Sequence, residues 1–393
     1  MKSNILFIHG GGPTAVLNSS LWGVINEAGH YGELEHLYGA IGGTGGFLRE
    51  QLTDLRDVGE DDLAHLLYTP GSAIGTSRDA LEAEDYERMA VLAQKYNIKY
   101  IVMNGGNGTM DACGKLWEVC RERGIGVIGL PKTMDNDLRA TDHTPGFGSA
   151  ARYVAASVAE VAADVDSMPR HVVIIEVSGR DAGWLAAAAS LASINGNAGA
   201  DLIYMPEHTF SEDTFLQDVA ALIDKKGAGV VVVSEGLRGE DGEPLVKPAL
   251  VTGRSVSYGN IAAHLSALVI KKLGYKSRGE KPGILGRASI AWQSDVDRNE
   301  AILAGREAVR AVMSGQGGKM VTFHRISEHP YGIETGLVDI REVMLKARTL
   351  PDEYINEAGN YPTDAFVAYC KPLIGDVLPR FVSFRDRVLH TVN

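Results

Sequence analysis

Lys132, Thr133, Asp135 and Asp137 crowd into one short stretch, PKTMDND at residues 131–137. The stretch follows an apolar run, Ile125 to Ile128, that reads as a buried strand. A strand end that opens into carboxylates is where parallel α/β proteins place chemistry. Asp135 is the best candidate base: a carboxylate there can take the proton from a substrate hydroxyl as its oxygen attacks phosphorus. Asp137 can orient Mg²⁺-bound water or hold the neighbouring loop. Thr133 can donate to a phosphoryl oxygen, and Lys132 adds a point charge. Arg180, in Ser178-Gly179-Arg180, can neutralise charge building on a transferred group. A competing reading stays open, because Asp-Asn-Asp is also a good turn sequence with capping carboxylates.

The elements that must position these residues alternate between apolar runs and helical spacing. Asn4 to His9 reads as a strand, followed by Gly10-Gly11-Gly12-Pro13-Thr14 and a helix from Ala15 to Ala28. A glycine turn between strand and helix lets backbone N–H groups approach an anion; a tight turn without ligand is the plain alternative. Leu37 to Phe47 is a second glycine-rich strand exit, and a polar loop from Pro70 ends in Arg78, which can grip phosphate oxygens. Tyr100 to Met103 opens into Asn104-Gly105-Gly106-Asn107-Gly108-Thr109, with a helix from Met110 to Arg123. A long helix runs from Gly146 to about Val165. Val172 to Val177 exits into Ser178, and its helix is expected to reach towards Ala200. Leu202 to Pro206 and Gly229 to Ser234 read as further strands, the latter ending in Glu235.

This alternation predicts an α/β fold: two Rossmann-like, mainly parallel sheets in a three-layer αβα arrangement. The expected domains are 1–140 plus about 286–325 for a donor, 141–285 for an acceptor, and a C-terminal extension, 326–393. Within the last part, Lys319 to Ile326 reads as a strand and Val338 to Arg348 as a helix. The extension shows no obvious chemistry and is expected to pack on the domains or at a subunit contact.

The bulk composition narrows the function. The chain has 393 residues, 45 % of them hydrophobic, and a net charge of −12. That balance argues against a nucleic-acid groove or an anionic membrane surface. No stretch approaches the roughly 20 apolar residues of a membrane span. Three cysteines without metal-type spacing fit a reducing cytoplasm better than a disulfide framework. Neither GxGxxG nor GxxxxGK[ST] follows the first strand, which weakens a dehydrogenase reading.

With these pieces on the page, the chain resembles the phosphofructokinases, the large type that uses ATP or pyrophosphate. The segments that carry the resemblance are GGGPTAVLN at 10–18, GGNGT at 105–109, PKTMDND, TPGFGSA at 144–150 and EVSGRDAGW at 176–184. Lys132, TDHTPGFGS, LPDEYINEAGN and PLIGD look most like the branch containing pyrophosphate-dependent enzymes. The resemblance implies that Gly11, Gly12 and Arg78 contact donor phosphates and that Gly106, Asn107, Gly108 and Thr109 cradle them. Thr133 and Asp135 would face the acceptor, with Ser178, Gly179 and Arg180 beside it and Glu235 on the sugar hydroxyls. It also implies Mg²⁺ near Asn107 and Asp137, a glycolytic sugar-phosphate acceptor, and a homodimer or homotetramer whose neighbouring subunits complete the acceptor site.

The sequence departs from that family at four places. Asn107 stands where an aspartate is usual, and an amide is a weaker Mg²⁺ ligand. Gly108 stands where pyrophosphate users commonly carry Asp, which leaves room for a nucleotide; this favours Mg-ATP as donor, with pyrophosphate as the alternative suggested by Lys132. Ser178 replaces methionine. The 6-phosphate pocket is altered, with His171, Lys281 and Arg287 at its positions, Arg170 adjacent, and Ile290 where an arginine is expected. Fructose 6-phosphate is the nominal acceptor; another sugar phosphate, a free sugar or a cyclitol is the alternative. A catalytically inactive nucleotide-sensing subunit is the non-enzymatic rival.

Overall fold

Apolar runs bounded by glycine turns make two stacks of strands in a computed structural model of the protein. It describes residues 2–168, 171–247, 250–252, 255–257 and 259–384, with backbone alone at 250–252 and 255–257. Arg170 lies outside the described residues.

The chain begins with β1 (Ser3–His9), α1 (Leu17–Ala28), β2 (Leu34–Ala40), α2 (Gly43–Leu48), β3 (Leu52–Asp54), α3 (Glu60–Leu66) and α4 (Ala83–Lys95). It continues through β4 (Ile98–Gly105), α5 (Asn107–Cys120) and β5 (Gly126–Pro131). A second lobe follows: α6 (Phe147–Ser167), β6 (Val172–Val177), α7 (Trp184–Ala188), β7 (Leu202–Tyr204), α8 (Glu212–Lys226) and β8 (Gly229–Ser234). After β9 (Leu250–Thr252) and β10 (Ser255–Ser257) come α9 (Ile261–Leu273), β11 (Ser277–Glu280) and α10 (Ile284–Ala288). The chain then returns with α11 (Asp295–Met313), β12 (Lys319–Glu328), β13 (Tyr331–Asp339) and α12 (Asp364–Cys370).

The first sheet has seven strands in the order β13-β12-β5-β4-β1-β2-β3. Its centre is parallel, while β3 and β13 pair antiparallel at the two edges. Every residue of β1 is buried, as expected of a strand covered by helices on both faces. The second sheet, β11-β6-β8-β7, is parallel throughout, and β6 and β8 are buried along their whole length. The fold is the expected α/β arrangement with two main sheets, beside a two-stranded antiparallel ribbon of β9 and β10. The boundary expected near residue 326 falls inside the β12–β13 hairpin, which builds the edge of the first sheet.

Two expected helices are not formed as read. The one placed over 338–348 is replaced by the end of β13, a single 3-10 turn at Ile340–Glu342 and irregular chain. Ile340 and Val343 are buried against the core of the first lobe, and Leu345 turns the backbone to φ 57°, which stops a helix. The helix expected to reach Ala200 stops at Ala188, followed by a 3-10 segment Ala189–Ser193 and a turn at Gly196 with φ 76°.

Candidate active site

The floor of the site is made where β1 and β4 end. Gly10 and Gly105 both lie against Thr109, and a Cβ on either would overlap its hydroxyl. The glycines therefore let two strand ends and the first turn of α5 close on one point. Gly11 has φ 77° and donates its N–H to Ser77 O at 2.8 Å, while Thr76 Oγ1 donates to Gly11 O at 2.8 Å. Asn107 and Gly108 begin α5, so its N-terminal amides and dipole face the cleft, a setting that suits phosphate. Gly108 is exposed at the rim and adds no side chain there.

One cleft of about 300 Å³ brings together Gly11, Gly12, Arg78, Gly106, Asn107, Gly108, Thr109, Lys132, Thr133, Asp135, Asp137 and Arg287. Of these, Gly11, Gly12, Arg78 and residues 106–109 were expected on the donor side, Thr133 and Asp135 facing the acceptor, and Arg287 in the acceptor pocket. Lys132 is buried and donates to Gly12 O at 2.7 Å. Its burial, with Arg78 and Arg287 nearby, pulls its pKa down to about 8, against the opposing pull of Asp135. A Cβ on Gly12 would stand 2.8 Å from Arg287 Nη1 and 3.2 Å from Arg78 Nη2, so both guanidinium groups converge on this loop.

The carboxylates of Asp135 and Asp137 line the same cleft, near enough for one to act on the charge of the other. Burial raises the pKa of Asp135 to about 7; Asp137 and Glu235 push the same way, and Lys132 and Arg180 oppose them. Burial also raises Asp137, although Thr133 and Asn107 donate to it, the latter at 2.7 Å from Asn107 Nδ2 to Asp137 Oδ2. Asn136 between them sits in the left-handed region at φ 53°, which turns the two aspartates to one side. The Oδ1 atoms of Asn107, Asp135 and Asp137 are buried and have no hydrogen-bond partner. Buried, unpartnered, hard oxygen acceptors are the donor set that Mg²⁺ takes.

The second lobe supplies the facing wall. Gly179 has φ 124°, and a Cβ there would stand 2.6 Å from Ala182 O. Only glycine fits this close turn. Ser234 Oγ donates to Gly179 O at 2.5 Å and so fixes the loop that carries Arg180. Arg180 and Glu235 are near enough that each acts on the charge of Asp135. Burial raises the pKa of Glu235, with Lys281 opposing. Ser178 lines a small adjoining apolar slot with Met134 and Tyr153.

The three residues read for an acceptor phosphate do not come together in one chain. His171 precedes β6 and so lies at the far end of that strand from Ser178. Lys281 forms an ion pair with buried Glu176 at 2.5 Å. Arg287 extends to Gly12 and Arg78, on the side read for the donor. Other contributors were missed in the sequence. Asp79 Oδ2 accepts from Thr44 Oγ1, Gly45 N and Ser77 Oγ at 2.6, 2.7 and 2.5 Å, bracing the wall beside Arg78. Asp297 accepts from Gly146 N and Ser149 N at 2.8 and 2.9 Å and caps the start of α6. Spacing to Arg78 could have flagged Asp79; the α6 cap comes from 151 residues away and leaves no local signal.

Comparison with known proteins agrees with this geometry. The sequence profile described as Phosphofructokinase matches residues 4–312. The pyrophosphate–fructose 6-phosphate 1-phosphotransferase of Rhodospirillum rubrum is 36% identical, covering 100% of this chain and 99% of its own length. The sulfofructose kinase of Alkalicoccus urumqiensis is 34% identical over 89% of this chain and 91% of its own. Among solved structures, the pyrophosphate-dependent phosphofructokinase of Nitrosospira multiformis matches with a TM-score of 0.87 and 34% identity, covering 97% of this chain and 94% of its own. The protein belongs to the phosphofructokinase family, and its similarity lies with the branch that contains pyrophosphate-dependent enzymes.

Proposed function

We propose that the protein transfers a phosphoryl group from pyrophosphate to the hydroxyl of fructose 6-phosphate. The hydroxyl oxygen bonds to phosphorus, the bridging P–O bond breaks, orthophosphate leaves, and the hydroxyl proton passes to Asp135. The observation that carries the reading is the meeting of Lys132, Arg78 and Arg287 around Gly12, in one cleft with Asp135, whose Oδ1 is buried. Three cations at one glycine loop suit a compact, densely charged donor. Arg180 faces the charge that grows on the transferred group. Asn107 and Asp137 would hold Mg²⁺, which when bound neutralises donor phosphate oxygens. Thr133 and Lys132 orient the donor, and Glu235 holds the sugar.

Pyrophosphate replaces the ATP preference drawn from Gly108. An absent side chain at an exposed rim permits a nucleotide but supplies no contact for one. The names of the Rhodospirillum rubrum and Nitrosospira multiformis proteins add weight to pyrophosphate. For the acceptor, a second reading rests on Lys281, which is tied to Glu176. A sulfonate needs less positive charge than a phosphate dianion, and a sulfofructose kinase is among the relatives. Self-association would be the state in which His171 reaches a neighbour's acceptor site. Initial rates for fructose 6-phosphate, sulfofructose and inositol, each with Mg-pyrophosphate and Mg-ATP, test the proposal. The expected result is fastest turnover of fructose 6-phosphate with pyrophosphate. Faster turnover with ATP returns the donor to a nucleotide, and faster turnover of sulfofructose changes the acceptor.

A further inference from the structure

The segment after β13 makes contacts that packing alone does not explain. Arg348 donates to Asn136 O from Nε at 3.2 Å and from Nη2 at 3.0 Å. Its Nη1 donates to Thr141 O at 2.6 Å and to Asp142 O at 2.8 Å. Its backbone N–H donates to Asp137 O at 2.8 Å, beside an antiparallel bridge between Ala347 and Leu138. All these partners belong to the loop that carries Asp135 and Asp137. Asn136, the residue between the aspartates, also donates from Nδ2 to Tyr369 Oη at 3.1 Å, and Tyr369 Oη donates to Asp142 O at 2.7 Å.

The same segment grips the second lobe. The Arg348 guanidinium lies over the ring of Trp184, 4.5 Å from its centroid, and Trp184 opens α7 just after the loop of Arg180. Leu350 N and Gly183 N both donate to Glu207 Oε1, at 2.7 and 2.8 Å. One short stretch therefore holds the carboxylate loop from one lobe and the arginine loop from the other. A fork that satisfies three carbonyls while its face stacks on an aromatic ring uses every geometric property of a guanidinium, and an ammonium could not reproduce it.

We propose that Arg348, supported by Tyr369, is a positioning residue that fixes Asp135 against Arg180. It touches no reacting atom. It holds Asn136 in its left-handed conformation, and so sets the direction of both neighbouring carboxylates, while Trp184 fixes the other lobe at the same point. The inference rests on the phosphoryl-transfer reading for its kinetic consequence but not for its structural one.

Three full-length variants test it: Arg348→Ala, Arg348→Lys and Tyr369→Phe. A displacement of about 1 Å at reacting groups costs on the order of 10²-fold in rate, so kcat should fall about that far in Arg348→Ala. The KM values for fructose 6-phosphate and pyrophosphate should stay within about threefold, since ground-state binding groups are intact. Arg348→Lys should recover little of the rate. Tyr369→Phe keeps the ring and removes only the hydroxyl, so it should fold normally and still lose about tenfold, a share of the full positioning effect. The ¹³Cα and ¹³Cβ NMR shifts of Asn136, which report its backbone conformation, give a readout independent of turnover. In Arg348→Ala these shifts should leave the left-handed range that Asn136 holds at φ 53° in the intact loop. Unchanged kcat in Arg348→Ala, or unmoved Asn136 shifts with only a lower melting temperature, overturns the proposal. Wild-type protein inactive with both donors would overturn the functional reading instead, and the Asn136 shifts would still decide whether Arg348 sets the carboxylate loop.

Discussion

At the scale of residues, Asp135 and Lys132 carry opposite shifts with one cause. Burial disfavours the charged form of each, raising the carboxylate to about 7 and lowering the ammonium to about 8. The two proposed roles then set a narrow working range. Asp135 must be deprotonated to accept a proton, so kcat/KM should fall as pH drops below about 7. Lys132 must be charged to hold the donor, so the rate should also fall as pH rises above about 8. In Asp137→Asn the negative neighbour that helps raise Asp135 is gone, so the acid limb should move to lower pH while kcat declines through the weakened Mg²⁺ site. A pH–rate profile of both proteins checks this, and an acid limb that stays in place in the variant contradicts the assignment. The residue types were legible in the sequence because PKTMDND is contiguous. The role of Arg287 was not. Its position suggested an acceptor contact, whereas α10 packs on α6 and the long Arg287 side chain crosses from there to Gly12.

At the scale of elements, the strands that the sequence announced are those buried on both faces. Val172–Val177 and Gly229–Ser234 have the bounds read from their apolar runs, since a run of β-branched residues flanked by polar turns has few other uses. The edge strands β3, β11 and β13 were missed. They are short or mixed in polarity and are defined by their partners rather than by their own pattern. The 338–348 segment shows helical spacing of apolar residues, but tertiary contacts to the carboxylate loop override it. Close helix packing is equally invisible locally. Gly305 on α11 lies against Ser20 O on α1, and Gly23 on α1 against Ile302 O on α11, so each glycine admits the other helix. Gly305→Ala should force the pair apart and destabilise the protein by about 1–3 kcal/mol. Thermal or urea unfolding measures that loss; unaltered stability would mean the helices can shift without cost.

At the scale of the molecule, the site is a seam. The first lobe supplies glycine loops, the α5 N-terminus and two carboxylates; the second supplies Arg180 and Glu235. The C-terminal segment, read from sequence as packing without chemistry, ties the two together through Arg348, Tyr369 and the Leu350 N–H donated to Glu207 of the second lobe. The family resemblance pointed to the parts that line the cleft, because those parts are short motifs. It could not identify the tie, because hydrogen bonds between residues 348 and 136 are separated by 212 positions and follow from the fold alone. The central claim is that Asp135 takes the proton as phosphoryl transfer proceeds. Single-turnover and steady-state rates of Asp135→Asn with fructose 6-phosphate and Mg-pyrophosphate test it most directly. Loss of a general base should lower kcat by about 10²–10⁴-fold, with pyrophosphate affinity by calorimetry little changed; a variant turning over at close to the wild-type rate would contradict the account.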